Sequence, residues 1–183
     1  MTLAPTPGQT VGPFYGFALP YPGDAELVPP GHRDAVRLHG TVLDGDGVGV
    51  PDALVEIWQA GPDGTVPRVE GSLRRDGWTF TGFGRCSVDP NGSYSFTTLL
   101  PAATETGVAP FFAVTVFARG LLNRLFTRAY LPHDVDALAS DAFLASVPED
   151  RRRTLVAASD EHGLRFDIRL QGNDETVFLS FGD

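Results

Sequence analysis

VRLHGTVLDGDGVGVPDALVEIWQA, residues 36–60, is the stretch from which the fold is read. It holds two β-rich runs, Val36–Leu43 and Ala53–Gln59, separated by the turn cluster DGDGVGVPD. Gly and Asp supply the tight-turn conformations, and Pro51 stops either strand from running on. In the second run Leu54, Glu56 and Trp58 share one face and differ in character from their neighbours, the two-residue period of a strand.

Downstream the same signals recur. Strands are expected at Trp78–Arg85, at Ser93–Leu99 after the Pro90-Asn91-Gly92 turn, at Phe111–Phe117, and at Arg124–Leu131 after the Arg119-Gly120 turn. Two closing strands, Leu164–Leu170 and Thr176–Phe181, flank a Gly172-Asn173 turn. Residues 61–77 are polar and Gly-rich and read as a long loop. Between 138 and 158, Ala, Leu and Arg predominate and Pro148 interrupts, so one short helix should end before Pro148 and another begin near it. Upstream, residues 1–34 are rich in Pro and Gly and read as an extended arm that packs on a surface. The expected architecture is mainly β: an antiparallel sandwich of about eight strands with a short helical insertion and an extended N-terminal arm. A single domain is expected over 1–183, with the arm at 1–34 and the sandwich core at 35–183.

Composition narrows the function. A net charge of −9 argues against nucleic acid as a partner, and any anionic ligand needs locally placed arginine. All 14 basic residues are arginine. The single cysteine, Cys86, forms no internal disulfide and points to a reducing cytoplasm. The first residues have no basic, apolar leader pattern, and no apolar run approaches the length of a membrane helix. The histidines His32, His39, His133 and His162 are scattered and read as surface or turn residues. No phosphate loop, nucleophile elbow or His-x-His motif is present.

Five segments stand in a fixed order: TPGQTVGPFY (6–15), LHGTVLDGDGVGVPDALVEIWQA (38–60), GFGRCSVDPNGSYSFTTLLP (82–101), VFARGLLNRLFTRAYL (116–131) and RFDIRLQGNDETVFLSF (165–181). Together they resemble the intradiol ring-cleavage dioxygenase family, and within it the alpha chains of the two-chain members that cleave protocatechuate (3,4-dihydroxybenzoate). The strand–turn–strand at 38–60 taken alone also fits a transthyretin-like, non-enzymatic binding module. The arm and the closing FDIRLQGNDETVF segment argue against that reading.

What the resemblance implies is specific. Iron-binding members hold Fe(III) with two tyrosines and two histidines. The first tyrosine follows WQA in a WQAxxxGxY pattern, and Val66 stands there. The second ends a PGPY-like turn, where this chain has PAAT and Thr104. The two histidines form His-Ile-His, replaced here by Phe111, Phe112 and Ala113, with Val108 near the place of a preceding arginine. Val66, Thr104, Phe111 and Ala113 thus occupy the ligand positions, and the resemblance implies that this chain binds no metal. Fe(III) would belong to a homologous beta chain, with protocatechuate and O2 meeting at a site shared by the two chains. Arg119, in VFARG, would reach that site as a fixed cation for the substrate's carboxylate. Thr10, Gly12, Pro13 and Phe14 of the arm would line its mouth, with Phe14 in place of a tyrosine. No catalytic acid, base or metal ligand is expected from this chain. Tyr94 and Tyr130 are expected to be packed aromatics with hydrogen-bonded hydroxyls, and Trp58 and Trp78 core or interface anchors.

Overall fold

The structure is a computed structural model that describes residues 12, 15–69 and 75–181. Nine strands form two sheets. β1 (Val36–Leu43) alternates buried and half-exposed residues, and so does β4 (Ser93–Thr98). The two pair antiparallel from Val36↔Thr98 to Thr41↔Ser93. On the other side of β1 lie β8 (Gly163–Arg165) and β9 (Ile168–Arg169), both parallel to it, and β7 (Ala158–Asp160) closes that edge antiparallel to β8. The second sheet is antiparallel throughout, in the order β3 (Phe83–Ser87), β2 (Leu54–Gln59), β5 (Phe111–Phe117), β6 (Leu125–Tyr130). The mainly β sandwich stands. Its added feature is the pair of parallel contacts along β1.

The inner faces meet in one core. Leu38 and Val42 of β1, Phe96 of β4, Val55 and Ile57 of β2, and Phe112, Val114 and Val116 of β5 are buried there with Leu164, Phe166 and Ile168. Nine of these side chains, all but Leu164 and Phe166, are fully removed from water and contribute about 1.5–3 kcal/mol each before chain entropy is charged. This apolar burial is why alternation in β1 and β4 specifies register: a one-residue slip would turn Leu38 and Phe96 to solvent.

The gap between β8 and β9 has a local cause. Phe166 N–H donates to His39 O at 2.7 Å, while the Asp167 carboxylate accepts from Thr41 N–H at 3.0 Å, in place of a backbone carbonyl. Gly40 makes this possible, because a Cβ there would lie 2.0 Å from Phe166 O. Tyr94, cross-strand from Gly40, covers the bare position and donates its hydroxyl to the same carbonyl.

The expected elements differ from the observed ones in several places: the single strand expected at Leu164–Leu170 is divided into β8 and β9 at Phe166 and Asp167. Residues 78–82 are not strand: the Asp76 carboxylate takes the N–H groups of Trp78 and Thr79, each at 2.8 Å. Gly82 then turns at φ 67°, and pairing starts at Phe83. Residues 176–181 touch the sheets through single bonds, Thr176 N–H to Arg169 O and Leu179 N–H to Phe126 O, without a ladder. The helical region begins earlier, with α2 (Val135–Ser140) and α3 (Ala142–Ser146), and α4 (Glu149–Arg152) starts directly after Pro148. It gives way to a 3-10 turn at Arg153–Leu155, and Ala158 belongs to β7. Within the arm, Tyr15–Ala18 forms one helical turn, α1.

Trp58 and Trp78 are not core residues: Trp58 is 44% and Trp78 94% exposed. The outer face of the second sheet carries Glu56 and Arg85 as a largely covered pair, with Arg85 also donating to Leu19 O of the arm.

Candidate functional site

Trp58, Val66, Thr104, Phe111 and Ala113, drawn from two strands and two loops, border one cavity of about 170 Å³. Trp58 arrives on β2 and Ala113 on β5, directly opposite each other in the ladder. Phe111, two residues earlier on β5, faces the same side. The loop after β2 adds Val66. It closes through Gly61 N–H to Thr65 O at 2.8 Å and through Thr65 N–H to the Asp63 carboxylate at 3.0 Å. These bonds from Thr65 also hold the Asp63 carboxyl below its usual range. Gly64 turns at φ 78°, and any Cβ there would come within 2.4 Å of Ala103 O. That close approach, with Ala102 N–H bonded to Gly61 O, lays the loop on the 102–104 segment and brings Thr104 to the rim beside Val66.

The walls are held from outside. The Arg128 guanidinium lies over the Phe111 ring at 4.3 Å and over Phe143 at 4.7 Å, and it donates to the Tyr130 hydroxyl at 2.9 Å. Asp141, buried, accepts from Leu144 N–H as the cap of α3 and from Ala109 N–H just before β5. One carboxylate thereby ties the helices to the strand that carries Phe111. On the other wall Trp58 packs on Phe83, ring centroids 4.7 Å apart. The buried Gln59 spends its amide inward, donating to Leu99 O and Ala60 O and accepting from Thr98.

Arg119 lies at the other end of β5. Phe111 and Phe117 are about 20 Å apart at the usual rise of a strand, and Arg119 follows in a turn closed by Leu121 N–H to Ala118 O, with Gly120 at φ 95°. The guanidinium is 65% exposed and pairs with Asp52 at 2.9 Å. It opens on a cleft with Gly16, Phe17 and Ser87. Tyr15 packs beside Phe117 and donates its hydroxyl to Asp52 O at 2.5 Å. Burial, then the Asp52 charge, pushes the Tyr15 phenol up to about 12. The arm therefore enters the described structure at the Arg119 end. Gly12 is exposed, with nothing near its Cβ position. Thr10, Pro13 and Phe14 lie outside the described residues.

Residues 24–172 match the family described as Dioxygenase. The chain belongs to the intradiol dioxygenase family. It is 38% identical, over 97% of its length, to the protocatechuate 3,4-dioxygenase alpha chain of Burkholderia cepacia, 98% of which it covers. The beta chain from the same organism is 34% identical over 78% of this chain and 67% of its own length. Among solved structures, the dioxygenase domain of a dioxygenase–carbohydrate-binding fusion from Streptomyces sp. SirexAA-E shares the fold, with a TM-score of 0.59, 22% identity, and coverage of 92% of this chain and 99% of that one. Membership assigns the chain to the oxidoreductases and sets aside the transthyretin-like binding module.

The cavity does not fit the metal of an intradiol dioxygenase. Val66, Phe111 and Ala113 carry no donor atom, and Thr104 offers one neutral hydroxyl at the rim. The Arg128 guanidinium beside Phe111 puts a fixed positive charge next to the space, which opposes a cation. Nor do the tyrosines supply a phenolate: burial pushes Tyr15, Tyr21, Tyr94 and Tyr130 up from their ordinary range, and none borders the cavity. Tyr94 and Tyr130 are packed aromatics with bonded hydroxyls. Sequence reasoning missed Asp52, Arg128 and Asp141. Asp52 depends on Tyr15 and Arg119, 37 and 67 positions away, Arg128 on Phe111 and Phe143, 17 and 15 away, and Asp141 on Ala109, 32 away, so no local motif announces their roles.

Proposed function

We propose that this chain is the metal-free alpha subunit of a cytoplasmic protocatechuate 3,4-dioxygenase. A beta chain would carry the Fe(III). Their shared site would cleave 3,4-dihydroxybenzoate between its two hydroxyl-bearing carbons, adding both atoms of O2 to give 3-carboxy-cis,cis-muconate. The observation that carries the reading is that Val66, Thr104, Phe111 and Ala113 line the cavity with no imidazole, phenolate, carboxylate or thiolate among them. The full-length similarity to an alpha chain, and the partial similarity to a beta chain of the same organism, support the pairing.

In this reading Arg119 is the chain's main contribution. It is an exposed guanidinium on a hydrogen-bonded turn, far from this chain's own cavity, and so available to a site completed by a second chain. A carboxylate entering a partly dry pocket gains charge and directed donors from it. Asp52 and Tyr15 act as positioning residues, because they fix the turn and the arm around Arg119. Thr10, Gly12, Pro13 and Phe14, on the arm segment leading into Tyr15, would border the same pocket.

Visible absorption with iron analysis tests the reading, on the chain alone and co-expressed with its beta chain. A colourless, iron-free chain and an iron-loaded, burgundy complex that consumes protocatechuate and O2 are expected. Tyrosinate-to-iron colour and turnover by the lone chain would overturn it.

A further inference from the structure

We infer that the cavity between Trp58, Val66, Phe111 and Ala113 is a binding site for an uncharged, single-ring aromatic molecule. Its volume, about 170 Å³, is close to that of an apolar engineered cavity of about 150 Å³ that stays dry and takes benzene. Aromatic surface comes from Trp58 and Phe111, and aliphatic surface from Val66, Val108 and Ala113. Trp58 and Val66 are each about half exposed, so the space has an entrance.

Three features favour a neutral guest. No acid or base lines the cavity, so a charged ligand would lose its hydration without a partner. The one large polar side chain in the lining, Gln59, has its amide already bonded to Leu99 O, Ala60 O and Thr98. Water therefore finds few of the two to four partners it needs. The Arg128 guanidinium beside Phe111 is not among the lining residues, and it is already engaged by the Phe111 and Phe143 rings and the Tyr130 hydroxyl. The same contacts make the site preformed: Phe111 is held by Arg128 and Tyr130, and Trp58 by Phe83. Nothing in this inference depends on which chain holds iron.

The test uses iodobenzene, a heavy-atom quencher, with the full chain in EDTA. Trp78→Phe removes the highly exposed second tryptophan and leaves Trp58 as the sole reporter. Quenching of Trp58 should saturate, with half-saturation below about 1 mM, within the efficiency open to so small a ligand. Ala113→Leu and Val66→Phe, which fill the cavity from the strand and from the half-exposed loop, should each weaken it at least tenfold. Benzoate should compete at least tenfold less well than benzene. Linear, non-saturating quenching, or quenching unchanged by Val66→Phe, would overturn the inference, as would equal competition by benzoate. Val66→Phe alters only a loop rim, so it decides the matter even if Ala113→Leu fails to fold.

Discussion

Replacing Arg85 by methionine should test what holds the arm on the sandwich. Arg85 Nε and Nη2 both donate to Glu56 Oε1, at 2.8 and 2.6 Å, and Nη1 donates to Leu19 O at 2.5 Å. The guanidinium also lies over Phe83 and Tyr21. The two side chains are only 10% and 13% exposed, so this is not a solvent-screened pair. Removing the cation leaves the Glu56 carboxylate largely buried and without a partner among the described residues. Breaking such a pair from one side costs about 3–5 kcal/mol. For a chain of this size, at about 2–4 °C per kcal/mol, the melting temperature should fall by roughly 6–20 °C. Arg85→Met/Glu56→Leu should recover most of the loss, since the penalty lies in the orphaned charge. It should stop short of full recovery by about 1 kcal/mol for the missing bond to Leu19 O. The measurement is thermal unfolding by circular dichroism at pH 7, with hydrogen exchange at 19–21 as a local readout. A fall of less than 2 °C, or a double variant no better than the single, would refute the reasoning.

Three further outcomes are expected. In the alpha–beta complex Arg119→Met should raise KM for protocatechuate by about 10–100-fold, the worth of a charged hydrogen bond. Thermal stability should barely change, because the Asp52 pair is largely exposed; an unchanged KM would remove Arg119 from the substrate site. Gly40→Ala should cost about 1–3 kcal/mol or more in denaturant unfolding, because its Cβ would meet Phe166 O at 2.0 Å; a wild-type midpoint would contradict the close approach. The Asp76 carboxyl is lowered to about 2 by hydrogen bonds from Thr79, first from its side chain, and from Trp78 N–H. A depressed pKa means the ordering is intact above the ordinary value of 3.8 and is lost as pH falls toward 2. In a Trp58→Phe chain, Trp78 emission should therefore change between about pH 4 and 2, and an Asp76→Asn chain should show no such step.

The sequence by itself determined β1 and β4 of the first sheet and the centre of the second. Alternation in 36–43 and 93–98, and the apolar run 111–117, are local signals, because side-chain direction along a strand repeats every two residues whatever the partner. Turn chemistry was legible for the same reason: Gly92 and Gly120 take left-handed conformations that other residues avoid. The motif order also carried the family. Tertiary structure decided the rest. Residues 78–82 have strand-like composition, yet the Asp76 cap and the turn at Gly82 deny them a ladder. Trp58 and Trp78 read as anchors by type, but only packing sets which face is covered. Val66, Thr104, Phe111 and Ala113 could be marked as substitutions in the sequence. That they wall one apolar space, braced by Arg128 and Asp141, depends on strand register and loop approach, where residues tens of positions apart meet. Asp52 beside Arg119 belongs to the same class: a salt bridge between two turns leaves no periodic trace in either one.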